Sequence, residues 1–93
     1  MTALALDSQL TLSPDVVSQE LEGELVVLSL DRAEYYGLNA TGTRLWHWMV
    51  EGASIGTMAD RLATECHVDA DRARQDVLAL AQSLLDEGLA TLD

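Results

Sequence analysis

The pattern of apolar and polar positions changes period once along the chain, near residue 39, and the change separates two kinds of element. Before it, three short runs are β-branched and apolar or alternate: 16–21, 24–30 (ELVVLSL) and 34–38 (EYYGL). They read as strands, with Glu22-Gly23 and Asp31-Arg32-Ala33 as the turns between them. Consecutive strands joined by short polar turns predict an antiparallel meander. Residues 1–14 have weak periodicity and are expected to form a flexible segment, or to add a short edge strand near residues 9–13.

After residue 39 the period is helical. Asn39 or Thr41 is placed to cap a helix carrying Leu45, Trp46, Trp48, Met49 and Val50. Only Arg44 and His47 interrupt that run, so the helix is expected to be buried on most sides. Ser54 caps a second helix whose Ile55, Met58, Ala59, Leu62 and Cys66 share one face. Asp69 caps a third, and Asp71 in its first turn complements the helix dipole. Ala73, Val77, Leu80 and Leu84 form its apolar stripe, and Gly88 fits the left-handed position that ends it. Residues 89–92 form a short strand or an extended tail. Three antiparallel strands followed by three helices give an α+β domain. The tight turn Cys66-His67-Val68 makes a helix-turn-helix with the strands as its wing, a winged helix-turn-helix.

Charge argues against the usual work of that architecture. Sixteen acidic residues face five basic ones, all arginine, for a net charge of −11. Such a chain repels a phosphate backbone and an anionic membrane surface. Arg72, Arg74 and Gln75 lie where a recognition helix would read bases, but Asp69, Asp71 and Asp76 are interleaved with them. They read as a solvated, ion-paired face. No run approaches the roughly 18 apolar residues of a membrane span. The first residues lack the basic and apolar regions of a signal peptide, and the lone Cys66 excludes an internal disulfide. A cytoplasmic protein is expected, with no nucleic-acid or membrane partner.

Catalytic constellations are equally thin. His47, His67 and Cys66 are the only histidines and thiol, and adjacent helical residues point about 100° apart, so Cys66 and His67 make no nucleophile–base pair. Cys66 continues the apolar stripe of the second helix and reads as a core thiol. Two isolated histidines make no metal site. An acyl-carrier reading fails, because the nearest attachment-like serine, in Asp7-Ser8-Gln9-Leu10, precedes the strands and carriers are all-helical. No enzyme activity, catalytic residue, metal or cofactor is expected.

All four aromatic residues lie between positions 35 and 48. Leu38 must be buried, so Tyr36 shares its face and Tyr35 points across the sheet. Tyr35 is either an ordinary half-exposed strand tyrosine or the lining of a groove beside an edge strand. An edge strand is a natural acceptor of an added peptide strand.

The run Tyr35-Tyr36-Gly37-Leu38-Asn39-Ala40-Thr41-Gly42-Thr43-Arg44-Leu45-Trp46 resembles the Y-x-x-L-N-x-T-G-x-x-I/L-W signature of the PqqD-like family, the precursor-peptide recognition elements of RiPP pathways. The resemblance continues through Gly52, the second-helix stripe, Asp76-Val77, Leu80, Leu84 and Gly88-Leu89, over residues 15 to 90. It implies a winged helix-turn-helix domain over 15–93 that does no chemistry. The leader of a ribosomally made precursor peptide adds as a strand between the third strand and third helix, and is presented to a modifying enzyme. That enzyme is a lasso-peptide leader peptidase or a radical SAM maturase.

Carried over by position, Glu34, Tyr35, Tyr36, Gly37 and Leu38 form the edge strand, with Gly37 letting the ligand backbone come close. On the third helix Ala73, Arg74, Asp76, Val77, Leu78 and Leu80 match, with Val77 and Leu80 also expected in the core. Tyr35, Arg74 and Asp76 are the expected side-chain contacts and Leu78 an apolar anchor. Members dedicated to pyrroloquinoline quinone carry a Leu-Leu-x-Pro-Glu-like segment where this chain has residues 28–34 without proline, which favours another peptide pathway; the length and the Y-x-x-L-N strand resemble lasso-peptide members first and radical SAM pathways next. Two other classes compete: an acidic winged-helix transcription regulator, and a structural subunit that stabilises a partner enzyme.

Overall fold

The computed structural model describes residues 4–92. Residues 1–3, the start of the expected N-terminal segment, and residue 93, the end of the expected recognition domain, lie outside the described residues. The elements are β1 (Leu10–Leu12), β2 (Val16–Leu21), β3 (Glu24–Ser29), β4 (Glu34–Leu38), α1 (Ala40–Val50), α2 (Ile55–Glu65), α3 (Ala70–Asp86) and β5 (Ala90–Leu92). This is the expected α+β order of a three-stranded meander followed by three helices, with a two-stranded β1–β5 ribbon added.

The meander has the order β2-β3-β4, all antiparallel. Leu25, Val27 and Ser29 of β3 are buried on the face turned to the helices, where Tyr36 and Leu38 of β4 are half-buried. The core beneath them joins Leu45, Trp46, Trp48 and Met49 of α1, Ile55, Met58 and Leu62 of α2, and Ala73, Val77, Ala81 and Leu84 of α3. Leu30 and Val50 are among the apolar residues that fall outside it. β3 ends one residue before the predicted strand and leaves Leu30 58% exposed, while Val50 is 57% exposed on the outer side of α1, which is therefore less enclosed than expected.

Local chemistry sets the boundaries. Asn39, not Thr41, caps α1 by accepting the Gly42 N–H at 2.8 Å, and Ser54 and Asp69 cap α2 and α3. α3 ends in a Schellman motif: Gly88 at φ +72° lets the Leu89 N–H reach the Leu84 carbonyl (2.9 Å) and its own N–H reach that of Leu85 (3.1 Å). α2 ends with His67 in the left-handed region instead of a glycine. Residues 6–10 are laced to α2: the Ile55 N–H donates to the Ser8 carbonyl at 2.9 Å and the Gly56 N–H to that of Leu6 at 2.7 Å. Those are first-turn donors with no partner inside their helix. β1 then pairs with β5, not with the meander, and Leu10 enters the core. Among the described residues, no helix is long and apolar enough to cross a membrane.

Candidate functional site

β4 is an edge of the meander, and its outward backbone groups follow from the hydrogen bonds around it. The Thr43 hydroxyl accepts the Leu25 N–H (3.0 Å) and donates to the Leu38 carbonyl (3.3 Å), bridging two register partners whose backbone groups point at each other. On the other side of β3, the Leu30 N–H donates to the Asp15 carbonyl at 3.0 Å, so the even positions of β3 bond toward β2. Alternation along an antiparallel ladder then turns the backbone groups of Glu34, Tyr36 and Leu38 toward β3. It turns the N–H and C=O groups of Tyr35 and Gly37 outward.

Outside that edge runs a groove whose far wall is α3. Its wider part, about 470 Å³, is lined by Gly37, Leu38, Asn39, Leu45, Arg72, Asp76, Ala79 and Leu80 among others. A second part of about 240 Å³ continues past Leu38 and Leu80 to Tyr36, Ser83 and Glu87. Residues 72, 76, 79, 80, 83 and 87 fall on one side of α3 at about 100° per residue, next to the buried stripe. The floor is apolar, from Leu38, Leu45, Leu80, Leu84 and Val27. The rim is polar: Arg72 Nε lies 3.4 Å from Asp76 Oδ1, an exposed pair that adds little stability.

At the second end the Tyr36 hydroxyl lies 2.8 Å from Glu34 Oε2 and 2.9 Å from Glu87 Oε2, with Arg32 Nη1 3.6 Å from the latter. The phenol has one proton for two carboxylates. The hydrogen bond to Glu34 foremost, then burial and the bond to Glu87, push its pKa up to about 12. A raised pKa means that the stabilisation is complete below the usual tyrosine pKa and is lost as pH rises through the folded value. A tyrosinate absorbance step from Tyr36 is therefore expected near pH 12, moving down in Glu34→Gln; absence of any step near pH 12 would contradict the geometry.

Among the described residues no group of three or more His, Cys, Asp or Glu side chains converges to hold a metal, and Cys66 is half-buried at the end of α2. The arrangement offers hydrogen-bonding backbone and an apolar floor to an extended chain. The sequence profile described as coenzyme PQQ synthesis protein D (PqqD) matches residues 24–90. The chain belongs to the PqqD family.

Two solved structures share its fold. One, TbiB1 in complex with the TbiA(beta) leader peptide, is 30% identical with a TM-score of 0.80, over 85% of this chain and 92% of its own. The other, a lasso peptide synthetase B1 complexed with the leader peptide, is 28% identical with a TM-score of 0.84, over 89% of this chain and 98% of its own. No curated protein sequence matches. The resemblance read from Tyr35 to Trp46 is thus a family membership.

The residues expected to form the site in this PqqD-family chain separate into three groups. Tyr36, Gly37, Leu38, Asp76 and Leu80 line the groove, and Glu34 reaches it through the Tyr36 hydroxyl. Ala73 and Val77, at 0% and 1% exposure, have no surface to offer and belong to the core alone. Arg74 and Leu78 stand on the side of α3 away from β4, Arg74 beside Asp71 at 3.6 Å and Leu78 packed against the core. Tyr35 is 77% exposed on the opposite face of the sheet, so only its backbone faces the groove edge.

Gly37 meets the groove through its backbone alone. A Cβ there would have nothing within 4 Å, and by alternation it would stand on the outer face with Tyr35, perpendicular to an in-plane approach. A glycine is not required for another backbone to come close. Arg72, Ala79, Ser83 and Glu87 complete the groove and were outside the expected set. Helical spacing from Leu80 and Asp76 could have found them. Which flank of the apolar stripe faces β4 required the sheet's position.

Proposed function

We propose that this protein binds the leader segment of a ribosomally synthesised precursor peptide as an additional antiparallel strand beside β4, in the groove against α3. It does no chemistry, and presents the bound precursor to a modifying enzyme. The observation that carries this reading is the edge of β4, whose Tyr35 and Gly37 N–H and C=O groups face an open, apolar-floored groove. Strand addition draws affinity from such backbone bonds and specificity from alternate side chains entering pockets. That both similar structures are leader-peptide complexes supports it, and the one that is a lasso peptide synthetase B1 supports a lasso pathway whose enzyme is a leader peptidase. The meander serves here as the wing of a winged helix-turn-helix frame.

No observation favours the regulator reading. The two arginines at the start of α3 are engaged with Asp76 and Asp71.

Fluorescence anisotropy with a labelled cognate leader tests the reading, with a labelled DNA duplex as control. Saturable, weakly salt-dependent binding to the leader and none to DNA is the expected result. Ala79 is an exposed helical position on the groove wall, so Ala79→Trp should fill the groove without touching the core. It is expected to weaken the leader by about tenfold or more. Unchanged leader affinity in a folded Ala79→Trp protein would place the peptide elsewhere.

A further inference from the structure

The face of the meander turned away from the helices carries an apolar surface that the peptide groove does not use. Register places Val17, Leu28 and Tyr35 in one row across the three strands, and Gln19, Val26 and Gly37 in the next. Leu21, 56% exposed, extends β2 beyond them, beside Val17 at 48% and Tyr35 at 77%. Val17, Gln19, Leu21, Val26, Leu28 and Tyr35 line a shallow apolar depression of about 380 Å³. A solvent-facing antiparallel sheet ordinarily alternates apolar-in and polar-out, so both faces being apolar calls for a covering surface.

The charges around this face say what covers it. All five arginines pair with carboxylates on the helices or, for Arg32, with Glu87 at the end of α3. None is on the outer face. Glu24 stands on that face beside Leu21, with Glu22 in the adjoining turn, and Asp31 lies in the turn at the other end. A second copy would bring the same acidic rim and another −11 charges against it. The face is also continuous with the groove through β4, which turns Tyr36 and Leu38 to one side and Tyr35 to the other.

We propose that the outer face of β2, β3 and β4 is the docking surface for the modifying enzyme, and that the enzyme meets it with an apolar patch flanked by lysine or arginine. This inference rests on the leader-presentation reading and adds to it where the enzyme sits: against the sheet, beside the edge that holds the leader. Tyr35, 77% exposed on the strand that borders the groove, is the type of residue that dominates such interfaces. The acidic rim steers the encounter.

The test uses purified cognate modifying enzyme and the double variant Val17→Lys/Leu21→Lys, which alters exposed positions of β2 remote from the groove. Anisotropy with labelled leader and direct binding to the enzyme without leader are measured separately. Leader affinity is expected to stay within about twofold, while enzyme affinity and leader-dependent processing fall by about tenfold or more. Wild-type enzyme binding should also weaken with added salt. Leu21→Ser serves as a milder variant if the double variant is poorly folded. Equal enzyme affinity in wild type and variant overturns the docking surface. So does sedimentation of the wild type as a dimer that these substitutions dissociate. Wild-type protein that binds enzyme through this face but no leader would overturn the leader reading alone.

Discussion

Gly37→Pro is expected to weaken the leader peptide by at least about tenfold while the thermal midpoint moves by no more than roughly 5 °C. The two parts of that expectation have separate causes. Gly37 points its N–H away from β3, because the Thr43 bridge fixes Leu25 and Leu38 as the pair whose backbone groups face each other. Proline at position 37 therefore removes no bond of the meander and leaves an edge residue in an extended conformation that proline tolerates. It does remove the donor that an added strand needs, and it sets a ring in the plane of approach. Gly37→Ala is the control: its methyl group meets nothing within 4 Å, so leader affinity should stay within about twofold. Equilibrium binding by anisotropy, with thermal unfolding of the same preparations, checks both.

Trp46→Ala carries the largest expected effect on folding, a loss of about 3–5 kcal/mol. Trp46 is 2% exposed in the middle of α1, within the cluster that joins Val27 of the sheet to Ile55 and Val77 of the other helices. Its deletion leaves a cavity that α1 cannot close, since Leu45 and Met49 are packed to native burial on either side. Native domains are stable by only roughly 5–15 kcal/mol, so this change removes a large share of the total. At this size it should lower the thermal midpoint by at least about 12 °C. Val50→Ala, on the exposed side of the same helix, should shift stability by no more than about 0.5 kcal/mol. Denaturant titration of the pair distinguishes a core tryptophan from one held at the surface.

These contrasts show what was legible in the amino-acid sequence. The strands, helices and caps follow from local rules: the β-branched, apolar run at residues 25–28, the oxygen-bearing side chains of Asn39, Ser54 and Asp69, and Gly88 where a left-handed residue ends α3. The family signature was legible because it is concentrated in the contiguous stretch from Tyr35 to Trp46. The helical half of the groove was not. Arg74 and Leu78 fall within the stretch Ala73 to Leu80 that matches the family, but on a helix they lie about 200° from Asp76 and stand on the opposite side. Arg72, Ser83 and Glu87 are farther from Asp76 in the chain yet share the groove face. Leu10 shows a similar limit, because its burial depends on β1 pairing with β5 at the other end of the chain.

Amide chemical shifts and hydrogen exchange in the isotope-labelled protein, with and without its leader, test strand addition most directly. The account predicts that the Tyr35 and Gly37 amides shift and become protected on binding, while the outward amides of β2, at Ser18 and Glu20, stay unchanged. Saturable leader binding that leaves Tyr35 and Gly37 unprotected would contradict it.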